Sequence, residues 1–301
     1  MRVFITFLFI LFCLSAKAQQ PALSIYQYED SLKNLGHIII NDTLENNRVK
    51  ANETFIKTLI NSLKTKGSFN YKFSKLENII SIKTSDDKKF RIFSWFVFGN
   101  NGSFRYYGAI QLNNPEHLEL IPLIDGSIEI GQELEQTALP NTKWYGAVYY
   151  NIIPVFSKKP YYILLGWKGQ DMETSSKVME TLSIQNGKAI FGEAPVFQEN
   201  VKSQNYLNRR IFFYNSSASM LLRYVKDDKV FVFDHLIPPN EEFQEIKNKY
   251  VPDLSYDGYR YRNGKWAYID NMNLKNLPDE SDDSFVDPSK ITPGTAPIRK
   301  Y

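Results

Sequence analysis

Two short segments in the last quarter of the chain carry the residues best suited to chemistry. In the first, Asp253, Ser255 and Asp257 alternate along the chain and are followed by Gly258. Oxygen ligands at alternate positions before a glycine are typical of the first half of a calcium-binding loop. The bidentate glutamate expected at the twelfth position is missing, because Gly264 stands there. Calcium is therefore one candidate ligand. The alternative, which we expect, is a turn in which the two aspartates accept backbone N–H groups.

The second segment is Asp234-His235, which ends a strand-like run of residues. Loops at strand ends often hold functional sites. Adjacent residues of a strand point to opposite faces, so these two side chains act together only if the strand bends there. Together with Asp253 and Asp257 they form the only candidate catalytic group. Such a site requires at least two of these side chains around one cleft.

The familiar catalytic motifs are missing from the sequence. It has no Gly-x-Ser-x-Gly, no P-loop, no His-Glu-x-x-His and no dinucleotide fingerprint after a strand. Pairs of tyrosines recur along strand-like segments, at Tyr106-Tyr107, Tyr149-Tyr150 and Tyr161-Tyr162. On an exposed sheet face such residues can stack on sugar rings, and in a core they are ordinary packing.

The first 18 residues predict a signal peptide. Arg2 precedes an apolar run from Val3 to Leu14, and Ala16-Lys17-Ala18 supplies the small-x-small cleavage pattern. We expect cleavage before Gln19 and export to the periplasm or the medium. The apolar run has about 12 residues, which is too short for a permanent membrane span.

The only cysteine, Cys13, lies inside this run and follows Phe12, which disfavours lipidation. The mature chain then has no cysteine, which excludes disulfides, thiol nucleophiles and cysteine-ligated zinc. The full chain has 36 basic and 33 acidic residues. Loss of Arg2 and Lys17 with the signal leaves a net charge of +1, so no nucleic-acid partner is expected.

Residues 19–66 predict a helical segment. One apolar stripe at helical spacing is formed by Ile25, Tyr28, Leu32, Leu35 and Ile39. A second helix follows, for which Asn41 or Asp42 is the expected N-cap.

Residues 67–270 predict an antiparallel β-rich domain. Phe90–Phe98 and 103–112 form one expected hairpin, and Asn263-Gly264 marks another, because a type I′ turn needs positive φ at both positions. Further strands are expected at 117–124, 144–153, 160–166, 188–192, 209–215, 219–225 and 229–234. One inserted helix is expected after Asp171, with Val178, Met179 and Leu182 facing inward. The fold class is therefore α+β, dominated by antiparallel strands and hairpins in a sandwich-like or stacked arrangement. The tail, 271–301, is acidic and proline-rich, and we expect it to be disordered and dispensable for folding.

Several segments resemble a family of uncharacterised secreted proteins from Bacteroidetes-type bacteria. They are 144–150, 161–169, 191–192, 233–236 and 252–258. The resemblance covers roughly residues 75–270 and implies an origin and export, but no activity, ligand or site residue.

These observations favour an exported, non-catalytic envelope or periplasmic module. It would bind a glycan, peptide or protein through a sheet face or strand-end loops, without a cofactor. The alternative is a carboxylate-based hydrolase that acts on a glycan or peptide near Asp234, His235, Asp253 and Asp257.

Overall fold

The computed structural model describes residues 23–131 and 133–273. The expected signal peptide and residues 274–301 of the expected tail lie outside this part of the chain. The described chain begins with two helices, α1 (Ile25–Asn41) and α2 (Glu45–Leu63), which confirm the predicted helical pair. The predicted N-cap of α2 is wrong. Asp42 instead accepts the N–H of Leu44 at 2.8 Å and orders the turn between the helices.

The strands of the described residues form three sheets. The first sheet has the order β1 (Ser81–Thr84), β2 (Phe90–Phe98), β3 (Phe104–Leu112) and β4 (Leu120–Ile124). The central sheet has the order β5 (Leu139–Pro140), β9 (Lys188–Phe191), β8 (Thr174–Gln185), β7 (Tyr161–Gly169) and β6 (Val148–Val155), with β12 (Arg209–Asn215) also paired to β8. The outer sheet has the order β11 (Tyr206–Leu207), β10 (Phe197–Gln198), β16 (Lys265–Ile269), β15 (Val251–Arg262), β14 (Val230–Ile237) and β13 (Leu222–Val225).

The helices and sheets stack in layers. The helices cover one face of the first sheet, where Phe55 and Leu59 share a core with Phe93. The other face of the first sheet packs on the central sheet through a second core. The central sheet packs on the outer sheet through a third, which contains Leu165 and Phe233. The predicted β-dominated α+β fold is therefore confirmed, including the hairpin at Asn263-Gly264, where both φ values are positive.

The helix predicted after Asp171 is wrong, because this segment is the strand β8. Val178 and Leu182 lie in the core toward the first sheet, while Met179 lies in the core toward the outer sheet. A strand that is covered on both faces has no solvent-exposed polar face, so its sequence does not show the alternation of apolar and polar residues that marks a strand. Asp171 also accepts the N–H groups of two following residues, which imitates a helix N-cap.

A buried ion pair crosses from β8 to β12. The Arg209 Nε donates to the Glu180 Oε2 at 2.9 Å, and both side chains are fully buried. The Arg209 guanidinium also donates to the carbonyls of Leu134, Thr137 and Phe191. The other Glu180 oxygen accepts the Tyr149 hydroxyl. The pair therefore joins two strands to the loop that precedes β5.

Breaking this pair from one side should be far more harmful than removing both charges. We expect Arg209→Met or Glu180→Leu alone to lower the free energy of unfolding by about 3–5 kcal/mol, because each leaves an uncompensated buried charge. The double variant should lose less than the worse of the two single variants. Urea denaturation of the three variants measures this, and additive losses would contradict it.

A second buried cation lies between the first and central sheets. The Lys168 Nζ donates to the Tyr145 carbonyl at 2.8 Å and lies 4.3 Å from the centre of the Tyr106 ring. Burial lowers the pKa of Lys168 to about 8, although Asp125 and Glu180 favour its charged form. The folded state therefore binds this proton more weakly than the unfolded chain does.

Because this pKa is lowered on folding, the unfolded chain holds more protons between about pH 8 and 10, and stability should rise with pH in that window. We expect the free energy of unfolding of the natural protein to gain roughly 2 kcal/mol over this range relative to Lys168→Met. Denaturation of both proteins across the window checks this. Parallel pH curves for the two would contradict it.

Candidate functional site

A row of small residues lets the central sheet approach the first sheet closely. Ser81, Ser94 and Gly108 lie opposite one another on β1, β2 and β3. The Ser81 hydroxyl donates to the Tyr149 carbonyl at 2.5 Å, and the Tyr149 N–H donates to the Ser94 Oγ at 3.0 Å. A Cβ at position 108 would meet the Phe93 carbonyl oxygen of the neighbouring strand β2 at 2.8 Å, so this position requires glycine.

Beside this crossing lies a groove of about 1280 Å³, whose lining includes β1, part of β6, the end of α1 and residues 69–73, and which extends to Trp167 and Met172. Both are edge strands, β1 of the first sheet and β6 of the central sheet. Every residue of β1 lines the groove, and Tyr150 lines it from β6. Ile40 and Ile79 contribute half-buried apolar surface next to the helices. The groove therefore has a lining of mixed polarity and includes the edge of a strand, which suits an extended ligand.

The outer edge of β1 offers unpaired backbone groups to the groove. The Ser85 N–H donates to the Phe90 carbonyl, so these two residues form a hydrogen-bonded pair of the β1–β2 ladder. This pair shows which residues of β1 direct their backbone groups toward β2 and which direct them away. In an antiparallel ladder every second residue turns its N–H and C=O away from the partner strand. Ile82 and Thr84 are these residues, and no hydrogen bond joins their backbone groups to the rest of the described chain.

Lys83 provides a positive charge within the groove. Its side chain is half-buried and makes no hydrogen bond or salt bridge with a described residue. Burial lowers its pKa, and the charge of Glu77 opposes this shift without contact. Lys72 and Lys88 also line the groove, whose acidic residues are Glu77 and Asp171. The lining therefore favours an anionic ligand.

Arg91 also lies at the groove, but its guanidinium already donates hydrogen bonds to other residues of the protein. Its guanidinium donates to Gln111 and to the carbonyls of Tyr71 and Ser68, at 2.7–2.8 Å. It also lies over the ring of Phe93. Burial lowers the pKa of Arg91 to about 9. We therefore infer that Arg91 stabilises the wall of the groove and does not bind the ligand.

The structure separates Asp234 from His235. The ladder between β14 and β15 shifts register here, because residues 253–255 of β15 stand opposite the single residue His235 of β14. The extra residues therefore lie on β15. The Asp234 Oδ2 accepts the N–H of Leu221 at 2.7 Å, while the His235 ring turns toward β15. Burial raises the pKa of Asp234, and the hydrogen bond from Leu221 opposes this.

His235 and Asp257, by contrast, are brought together. The His235 Nδ1 lies 2.7 Å from the Asp257 Oδ2, which also accepts the hydroxyl of Tyr268. The other Asp257 oxygen accepts the N–H of Asn271 at 3.0 Å. Asp257 is buried while His235 is partly exposed, and burial together with Asp257 raises the pKa of Tyr268. The geometry fixes the ring and ties the end of the last hairpin to β14.

Asp253 and Ser255 belong to a separate turn. The Asp253 Oδ1 accepts both the N–H and the hydroxyl of Ser255, at 2.9 and 2.7 Å. The Ser255 hydroxyl lowers the pKa of Asp253. Leu254 between them has a φ of +71° and marks a bulge in β15. The two aspartates thus bind different groups. Across residues 23–131 and 133–273, no three His, Cys, Asp or Glu side chains are grouped to hold a metal ion.

The tyrosine pairs form no exposed aromatic face. Tyr106 and Tyr149 are buried in the core. The other members are half-buried; the Tyr150 hydroxyl, for example, donates to the Leu222 carbonyl at 2.8 Å. Within the described ranges, no helix is long and apolar enough to cross a membrane.

Sequence reasoning missed the groove and the strand β1. The only local signal was Asp86-Asp87, which predicts a turn before β2 and therefore allows a short strand in front of it. Comparison of the chain with protein-family models, curated proteins and solved structures finds no match.

The Asp257 contacts generate a prediction about calcium. We expect Asp257→Ala to lower the free energy of unfolding by roughly 1–3 kcal/mol, because it removes the acceptor of three hydrogen bonds. Thermal unfolding with and without calcium should show the same loss. Asp227→Ala, at an exposed turn, is the matched control and should cost little. A calcium-dependent rise in stability that disappears in Asp257→Ala would show that the segment is a metal site after all.

Proposed function

We propose that this protein is an exported binding protein of the bacterial envelope and that it holds an extended ligand in the groove between β1 and β6. The observation that carries the proposal is the groove itself, which has a volume of about 1280 Å³ and is lined by every residue of the edge strand β1. Ligand sites are typically concave, mainly apolar and provided with a few polar groups. Ile79, Tyr150 and Lys83 give this groove that character.

The layered fold supports a preformed site. The serine contacts between β1, β2 and β6 hold the two walls of the groove together at one end. The α1–α2 pair supports β2 from the opposite face of the first sheet. Because both walls belong to packed layers, ligand binding requires little reordering of the chain, which lowers its entropic cost.

The expected signal peptide supports an envelope location. An exported protein meets peptidoglycan strands, other glycans and the termini of envelope proteins, all of which are extended chains. The proposed ligand is therefore a negatively charged glycan or a negatively charged peptide.

The hydrolase alternative has weaker support. A hydrogen-bonded Asp–His pair is a common general base, and His235 with Asp257 has that geometry. Neither residue lines the groove, however, and no described hydroxyl side chain is hydrogen-bonded to His235. Tyr268 and Asn271 complete a set of contacts that is sufficient to explain a role in anchoring the last hairpin.

The groove lysines provide the test. We expect the triple variant Lys72→Glu, Lys83→Glu, Lys88→Glu to bind its ligands at least about tenfold more weakly than the natural protein, because attraction becomes repulsion. Binding is measured on an array of bacterial envelope glycans and by selection from a displayed library of random dodecapeptides.

The matched control is Lys158→Glu, Lys188→Glu, Lys202→Glu, which changes the net charge equally at exposed positions away from the groove. It should bind as the natural protein does. Equal losses in both triple variants, or no binding to either class of ligand, would contradict the proposal.

A further inference from the structure

The free edge of β1 identifies the ligand class more closely, on the basis of the proposed function. Ile82 and Thr84 present two N–H donors and two carbonyl acceptors along one line at the groove. Donors and acceptors in this order and spacing are complemented by another extended polypeptide backbone. The hydroxyl groups of a glycan have no such fixed alternation. The edge therefore favours a peptide over a sugar chain.

One face of β1 indicates that the bound peptide carries negative charge. Lys83 lies on the same face of the strand as Ser81, which contacts β6, so it points to the central-sheet side of the groove. It is partly buried and lacks a hydrogen-bonding partner among the described residues. Side chains directly opposite on adjacent strands contact one another, and opposite charges stabilise such pairs. An acidic residue opposite Lys83 would supply the missing partner.

The opposite face of β1 indicates that the bound peptide also carries apolar residues. Ile82 shares the core of the helical layer as a half-buried residue, and Ile79 and Ile40 lie beside it along the groove. Because side chains alternate along a strand, a paired peptide would place every second residue against these isoleucines. The groove therefore fits an alternating pattern of acidic and apolar residues.

We propose that the groove binds an acidic peptide as a fifth strand of the first sheet, paired to β1, with a carboxylate against Lys83 and apolar side chains against Ile40, Ile79 and Ile82. This mode is β-strand addition, in which backbone hydrogen bonds supply affinity and alternate side chains supply specificity.

The experiment selects binders from a displayed library of random dodecapeptides on the full natural protein. The enriched sequences are then synthesised, and their affinities are measured by calorimetry. We expect enriched peptides to alternate acidic and apolar residues. Lys83→Gln should weaken their binding about tenfold or more, because it removes one charged hydrogen bond.

Position 84 gives a matched pair of variants for the backbone contact. Thr84→Pro removes the outward N–H without removing a β1–β2 hydrogen bond, and edge strands tolerate proline. Thr84→Val keeps the N–H. We expect Thr84→Pro to weaken binding about tenfold while Thr84→Val changes it less than about twofold. Thermal unfolding verifies that both variants fold. A peptide methylated on alternate backbone nitrogens should likewise lose affinity.

Three results would overturn the inference. The first is a selection with no enriched peptide. The second is a set of enriched peptides that bind Thr84→Pro and Lys83→Gln as tightly as the natural protein. The third is lysine-dependent binding to envelope glycans alone, which would contradict the peptide while leaving the proposed groove function intact.

Discussion

The ion pair of Glu180 and Arg209 lies in a sheet that is covered on both faces, and the arrangement of the layers depends on it. A charge buried there has no access to water, so each member needs the other and the surrounding carbonyls. Two of those carbonyls, of Leu134 and Thr137, belong to the loop before β5, which the guanidinium holds against the central sheet. The same carboxylate binds Tyr149, the residue at which β6 meets Ser81 and Ser94. One buried pair is thus connected to the wall of the groove.

Strand order places two strand edges at the groove. β6 lies at one edge of the central sheet and β1 lies at one edge of the first sheet, and the contact of Ser81 with Tyr149 brings them together. Edge strands with unpaired backbone groups favour aggregation unless they are protected. Here β1 is short, lies in a concave site and carries Lys83, which limits access to chains of matching shape and charge.

The sequence-based predictions were right where the structure depends on residues close together in the chain. The two helices and the last hairpin were predicted because apolar spacing and Asn263-Gly264 act over a few residues. The segment after Asp171 was predicted wrongly as a helix, because burial on both faces removed the alternation that marks a strand. Among the candidate site residues, Asp234 and His235 were expected to diverge unless the strand bent. The extra residues of the bulge lie on β15, and the two side chains diverge: Asp234 accepts the N–H of Leu221, just before β13, and His235 contacts Asp257 on β15.

Sequence by itself determined the β-dominated class, the helical pair and most of the strand segments, though not β1 or β8, since these features depend on periodicity and turn residues close together in the chain. Only the tertiary structure decided that His235 meets Asp257, that Glu180 meets Arg209 and that β1 borders a groove with β6. Each of these contacts joins residues more than 20 positions apart, and nothing local specifies which strand becomes the neighbour. Strand order and burial are properties of the whole packed chain, so the candidate site depends on them.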